Sequence, residues 1–381
     1  MEVYLDNSAT TRAFPEVAEI VSRMMTEEYG NPSSMHRAGL SAEHVLKVAT
    51  EQIAKTLRAD KSEIVYTSGG TESNNMAIIG TAMARRRYGN HIITTAIEHP
   101  SVLRVVQHLQ QEGFEVTILE PDETGHIHPE AVKEALRKET ILVSCMLVNN
   151  EIGTVQPVKE IASLVHGFSP EIRVHTDAVQ AYGKIPVIPK ELGVDLMSVS
   201  GHKLHGPKGV GFIYVKKGTL IRPILFGGGQ QGDLRSGTEN VPGIAGLGEA
   251  VRITFSHFAE DTEKMSMLKN KLIEGALTLP EVRSLSGEAP HIVSLQFPGV
   301  RGEVLLHTLE DAGIYVSAGS ACSSHKKKKG SPVLQAMGVT GEENNGVLRF
   351  SLSPDNTEEE IQYTIDTLSN VVPALRHYRR N

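Results

Sequence analysis

Apolar runs of strand length alternate with amphipathic stretches over the first two-thirds of the chain. The runs Glu63–Thr67, His91–Thr95, Phe114–Leu119, Ile141–Leu147, Ile172–Thr176, Val194–Val199 and Val210–Val215 are rich in Val, Ile and Thr and predict seven strands. Between them Thr71–Arg87, Ser101–Glu112, Pro129–Arg137 and Val158–Val165 predict helices, with Val102, Leu103, Val106 and Leu109 recurring at helical spacing. Strand–helix alternation implies an α/β fold with mainly parallel strands and helices on both faces. The unbroken run Ile141-Leu142-Val143 fits a strand covered on both sides. Across Val251–Glu274 the pattern predicts one long charged helix. The shorter alternating runs His291–Phe297 and Gly346–Leu352 follow, and suggest a smaller α+β domain from about residue 258 onward. No internal repeat or low-complexity tract interrupts the pattern.

Composition narrows the function. The 381 residues are 40% hydrophobic and 22% charged, an ordinary globular balance. With 38 Lys+Arg against 45 Asp+Glu the net charge is −7, which argues against coating nucleic acid. The apolar runs are far shorter than the roughly 20 residues needed to cross a bilayer. Met1-Glu2-Val3-Tyr4 shows no basic n-region and apolar h-region of a secretory leader, so a soluble, cytoplasmic protein is expected. Two cysteines, Cys145 and Cys322, exclude a disulfide scaffold or an all-cysteine cluster within one chain.

In open α/β sheets ligands bind beyond the carboxyl ends of the strands, so the residues there carry the chemistry. After the first predicted strand comes Ser68-Gly69-Gly70-Thr71-Glu72, small residues running into a helix whose expected N-cap is Thr71. A helix start of this kind suits a phosphate. Later strands end in Glu98-His99-Pro100, Asn149-Asn150-Glu151, Thr176-Asp177-Ala178 and Ser200-Gly201-His202-Lys203. A phosphate-type turn, an amine and a carboxylate at one sheet edge are the needs of pyridoxal phosphate (PLP). Its aldehyde takes the amine and its ring nitrogen the carboxylate. Gly227–Gly232 matches G-x-G-x-x-G in form, but polar Asp233-Leu234-Arg235 follows instead of an apolar helix, so no dinucleotide site is expected. No metal site is expected from His126/His128 or His202/His205.

Together with Tyr4–Thr11 and Gly30-Asn31-Pro32-Ser33-Ser34, five motifs resemble the NifS/IscS-type cysteine desulfurases of the class V aminotransferase family. They are Ser200–Lys203, Thr176–Gln180, Val148–Gly153, Arg235–Asn240 and Ser317–Cys322. The resemblance implies a PLP-dependent fold type I homodimer that converts L-cysteine to L-alanine. It implies a large PLP-binding domain at 13–257. The small domain would be formed by 1–12 and 258–381 and carry the catalytic cysteine loop, about 317–332. It makes Lys203 the Schiff-base lysine and places Asp177 at the pyridinium nitrogen. Gln180 and Asn150 would contact the ring and its oxygen. Gly70, Thr71, Ser200 and His202 would hold the phosphate, joined by Thr238 of the other subunit. His99 would stack on the ring and move protons. Arg349 would bind the substrate carboxylate, with Asn150 also at the substrate. Cys322 would accept the sulfur as a persulfide for a protein acceptor, an Fe–S scaffold or a tRNA-thiolation enzyme. A selenocysteine lyase or other PLP lyase or aminotransferase is the alternative, disfavoured by the Gly-Ser-Ala-Cys context. A non-catalytic sulfur-transfer scaffold is disfavoured by the presence of Lys203, Asp177 and Cys322.

The two cysteines are thereby assigned. Cys145 falls in a buried-looking strand and is expected to be inert. Cys322 sits in a polar loop and is expected to react as the thiolate. The run Lys326–Lys329 is a solvated surface on its simplest reading. On a sharper one it favours that thiolate and steers an acidic or tRNA-bound partner. Arg376-His377-Tyr378-Arg379-Arg380 reads as a solvated tail.

Overall fold

The structure is a computed structural model that describes residues 1–318 and 330–380. In chain order its strands are β1 (Val3–Tyr4), β2 (Ile64–Thr67), β3 (His91–Thr95), β4 (Glu115–Leu119), β5 (Thr140–Ser144), β6 (Arg173–Asp177), β7 (Leu196–Ser200), β8 (Gly211–Val215), β9 (Arg283–Ser284), β10 (Ile292–Gln296), β11 (Ile314–Tyr315), β12 (Ser317–Ala318) and β13 (Val347–Ser351). The helices that matter below are α1 (Pro15–Thr26), α2 (Arg37–Leu57), α3 (Gly70–Arg85), α4 (Pro100–Gln111), α5 (Val241–Ser256), α6 (Phe258–Leu277), α7 (Gly302–Asp311), α8 (Pro332–Ala336) and α9 (Glu358–Arg380).

Seven strands form the main sheet in the order β2-β8-β7-β6-β5-β3-β4. All neighbours run parallel except β8, which is antiparallel to both β2 and β7. β3, β5, β7 and β8 are buried at every position, as expected of strands covered on both faces. The strand order reverses between β3 and β5, which opens a crevice at their carboxyl ends. A second, four-stranded antiparallel sheet has the order β12-β13-β10-β9. Its core joins Val293, Leu295 and Phe350 to Leu268 and Leu272 of α6, Leu305 of α7 and Ile361 of α9. Val3 and Leu5 belong to this second core, because β1 pairs with β11 and Asp6 bridges to Ser351.

Three local expectations are corrected. The first turn of α3 is capped at Gly69, not Thr71, and Gly69 offers no capping side chain. Its φ of 142° is one that a residue with a Cβ rarely adopts. The strand expected at Ile141–Leu147 ends at Ser144, because Cys145 and Leu147 leave the regular ladder while still donating to His175 and Asp177 carbonyls. The single charged helix across Val251–Glu274 is two helices broken at His257. α5 is buried against α1 and α2, whereas α6 belongs to the second core.

Candidate active site

The site lies at the carboxyl ends of β2, β3, β5, β6 and β7. The turn after β2 runs straight into α3. Among the described residues nothing accepts from the backbone N–H groups of Gly70, Thr71 and Glu72. Three open donors at the positive end of a 16-residue helix form an anion cradle. Tight packing holds it in place. A Cβ on Gly70 would lie 2.7 Å from Val179 Cγ2. One on Gly211 would lie 2.4 Å from the Val199 carbonyl and 2.8 Å from Gly69 Cα.

A cleft of about 400 Å³ opens over this cradle. It is lined by Gly69, Gly70 and Thr71 on one side and by Ser200, His202 and Lys208 on another, with Thr10 from the N-terminal segment. His202 Nδ1 lies 3.2 Å from Thr10 Oγ1. Burial, then the charges of Lys203 and Lys208, bring the His202 pKa down to about 4, so the ring is neutral near pH 7. Glu72 faces the same cleft, but its carboxylate is engaged by Ser68 N–H at 2.6 Å and Arg235 Nε at 2.8 Å. Burial raises the Glu72 pKa, but these bonds outweigh it and leave the group below its usual range.

Asp177 ends β6 and is 4% exposed. One carboxylate oxygen accepts from Val179 N–H at 2.9 Å, the other from Asn74 Nδ2 at 2.7 Å. Lys203 follows β7 on a single turn, Gly201–Lys203, and its Nζ donates to the carbonyls of Ser8 at 2.5 Å and Ala9 at 2.8 Å. Gln180 is buried, with Nε2 donating to the same Ser8 carbonyl at 2.9 Å. His99 caps α4 through Nδ1, which accepts from Ser101 N–H at 3.1 Å. Burial lowers the His99 pKa, Asp177 opposes this and Lys203 reinforces it.

Arg349 on β13 reaches across from the second sheet. Its Nη1 donates to the Asn150 carbonyl at 2.8 Å and its Nη2 to Asp6 Oδ1 at 2.9 Å, while Nε is buried with no partner among the described residues. Glu151, next to Asn150, is hydrogen-bonded by the Ser331 hydroxyl at the start of α8. Burial raises the Glu151 pKa to about 7, although the Ser331 bond and the Arg349 charge oppose it.

The expected site residues therefore fall into groups. Gly70, Thr71, Ser200 and His202 line one cleft, while Asp177, His99, Lys203, Gln180 and Asn150 follow the adjoining strand ends. Arg349 touches Asn150. Thr238 is exposed and does not line the cleft of its own chain. Cys322 and the Lys326–Lys329 run lie outside the described residues. Cys145 is 1% exposed, and burial, then Glu98, pushes its thiol well above the ordinary value. Sequence reasoning missed Asn74, Ser101, Glu98 and Asp6. Asn74 lies four residues into α3 from the cradle and Ser101 two residues after His99, but no signal in the sequence sets either apart from an ordinary helix residue. No group of three or more metal-ligating side chains occurs among the described residues. No described helix is long and apolar enough to cross a membrane.

The donor set fits PLP: open backbone donors for a phosphate, a buried carboxylate, and a lysine at the same sheet edge. This combination defines a PLP-dependent enzyme of fold type I. The family described as aminotransferase class-V matches residues 3–364. The chain is 44% identical over 381 residues to the cysteine desulfurase IscS of Clostridium botulinum strain Hall, covering 98% of this chain and 95% of that protein. It is 42% identical over 380 residues to the putative cysteine desulfurase IscS 1 of Bacillus subtilis strain 168, covering 98% and 99%. Among solved structures, a NifS-like protein superposes with a TM-score of 0.93 at 40% identity, over 98% of this chain and 100% of that one. SspA in complex with cysteine gives 0.83 at 34% identity, over 93% and 100%. The chain belongs to the class-V aminotransferase family, among the IscS/NifS cysteine desulfurases, and its cofactor is PLP.

Proposed function

We propose that the protein takes sulfur from L-cysteine onto Cys322, releases L-alanine, and passes the sulfur to an acceptor protein. The observation that carries this reading is the buried Asp177 held beside the open α3 cradle, with Lys203 at the same sheet edge. When bound, PLP supplies an electron sink that makes the substrate's Cα–H acidic. Gly70, Thr71, Ser200 and His202 hold its phosphate. Asp177, an acceptor from both neighbouring donors, keeps the ring nitrogen protonated. Gln180 and Asn150 would contact the ring and its oxygen, and His99 would stack on it. Lys203 Nζ would hold the cofactor covalently and, once freed by substrate, move the proton at Cα. The Arg349 guanidinium suits a carboxylate through a two-pronged bond. Cys322 Sγ bonds to the substrate sulfur as the substrate's Cβ–S bond breaks, so the sulfur leaves on the enzyme and Cβ ends as the methyl of alanine. A solved relative titled as a complex with cysteine supports this substrate.

The active form is a cytoplasmic homodimer. Phe226 (84% exposed) and Leu225 begin the segment that runs to the exposed Thr238, a face suited to covering a second copy's cleft. The chain divides into a large domain, 13–257, and a small one, 1–12 with 258–381; the separate core that joins Val3 and Leu5 to Leu268, Phe350 and Ile361 supports this division, while Ile292, Val333 and Val347 of the small domain pack into the main core. The acceptor is an Fe–S scaffold or a tRNA-thiolation enzyme. The test uses holoenzyme and ³⁵S-cysteine. Alanine should form with label on Cys322, and Cys322→Ala should bind PLP but take up no label. Label of undiminished amount on the variant would refute the reading.

A further inference from the structure

Three buried groups, Asp177, Asn74 and Ser101, form one hydrogen-bonded line that ends on the half-buried His99. Asn74 Nδ2 has two protons. One goes to Asp177 Oδ2 at 2.7 Å and the other to Ser101 Oγ at 2.8 Å. The reversed amide would turn its oxygen on a carboxylate, so Asp177 fixes the orientation. Ser101 Oγ thus accepts from Asn74 and has its own proton to give. His99 Nδ1, 2.8 Å away, is the acceptor in reach. The same Nδ1 already accepts the Ser101 backbone N–H. Asn74 is 1% exposed and Ser101 8%, so water does not compete.

We propose that Asn74 and Ser101 are positioning residues that fix His99 as the neutral imidazole with its proton on Nε2. The inference rests on the roles given above to His99 and Asp177. With two donors aimed at Nδ1, a proton there would face two other protons. Nε2 therefore keeps its hydrogen, and the proton that His99 presents to the substrate is the one on Nε2. Proton removal at Cα is left to Lys203. Among the described residues the charged groups facing His99 are Asp177 and Lys203, and the line through Asn74 ties the ring's position to the carboxylate proposed to serve the cofactor.

The test is ¹⁵N NMR of histidine-labelled holoenzyme, with His99 assigned by its loss in His99→Gln. Wild type should show a single Nε2–H tautomer. Ser101→Ala removes the hydroxyl donor, so the His99 titration midpoint should rise by roughly half to one pH unit. Ser101→Thr should restore it. Asn74→Leu removes the donor to Asp177 and should shift the pH titration of the holoenzyme's visible absorption band. A wild-type His99 protonated on Nδ1, or an unmoved midpoint in folded Ser101→Ala, overturns the proposal. The wild-type spectrum decides it even if a variant fails to fold. These readouts do not depend on sulfur transfer, so a failed desulfurase assay with an Nε2–H His99 would reject the function and leave the positioning intact.

Discussion

Glu98 offers a quantitative test of how the floor of the site is built. The side chain is 3% exposed, immediately before His99. Oε1 accepts from Met146 N–H at 2.7 Å and Thr95 Oγ1 at 3.1 Å, and Oε2 has no partner among the described residues. Burial carries its pKa from 4.5 to about 8. The Met146 and Thr95 bonds oppose the rise and the Asp177 charge adds to it. Glu98 is thus a neutral acid near pH 7. The folded state keeps a proton that the unfolded chain releases above 4.5. Stability is complete below that pH and is lost as pH rises toward 8. Across that window the loss is on the order of 5 kcal/mol. Glu98→Gln keeps the Oε1 acceptor and replaces the titrating oxygen with a neutral amide. The buried histidines act on the other side. Burial brings His175 to about 3, so its contribution is lost as pH falls below 6.5, equally in both proteins. Urea unfolding of both holoenzymes at a series of pH values gives the difference curve. Wild type should lose several kcal/mol relative to Glu98→Gln between about pH 5 and pH 9. A difference that stays flat across this range would refute the assignment of a buried neutral acid.

Four further outcomes are expected. Gly211→Ala should weaken PLP binding at least ~10-fold in a fluorescence titration, because its Cβ meets backbone atoms of Val199 and Gly69 that cannot move aside. Asp6→Asn loosens the Arg349 guanidinium and should raise KM for L-cysteine by roughly 3- to 10-fold with a smaller change in kcat, measured by steady-state kinetics. Native Cys322→Ala should take up no alkylating reagent by mass spectrometry, since Cys145 is buried with a raised pKa. The proposed dimer should dissociate toward monomer in Phe226→Asp, measured by sedimentation; an unchanged dimer would place the interface elsewhere.

The sheet was legible because its strands are buried on both faces, so each appears as an unbroken apolar run whose neighbours in sequence are helical. Most strand ends then followed within a residue or so, as at His91–Thr95, whereas the run at Ile141–Leu147 extends past the ladder, which ends at Ser144. The α5–α6 break was not legible: charge and apolar spacing continue across Ser256 and Phe258, and only the packing of α5 on α1 and α2 separates the two. Thr71 was a plausible cap by residue type, yet the turn begins two residues earlier. An anion cradle needs open N–H groups, and a capping hydroxyl would fill one. Asn74 and Ser101 escaped because each looks ordinary in its helix. Their partners, Asp177 and His99, lie 103 and two residues away, and the longer contact exists only once α3 packs across the sheet.

The segment from Asp6 to Arg12 shows why neither core alone makes the site. Asp6 holds Arg349, which projects from the second sheet. Two residues later the Ser8 carbonyl receives both Lys203 Nζ and Gln180 Nε2, which project from the main sheet. Thr11 N–H then bonds to the His202 carbonyl, and its hydroxyl accepts from His205 N–H at 2.7 Å. A shift of this strap would therefore move the proposed carboxylate anchor and the proposed Schiff-base lysine relative to each other. Catalysis that depends on placing a Cα–H against an amine is sensitive to displacements of about 1 Å. The strap's backbone carbonyls, more than any side chain in it, set that distance, so substitutions at Ser8 that preserve the backbone should be tolerated far better than a change at Asp6.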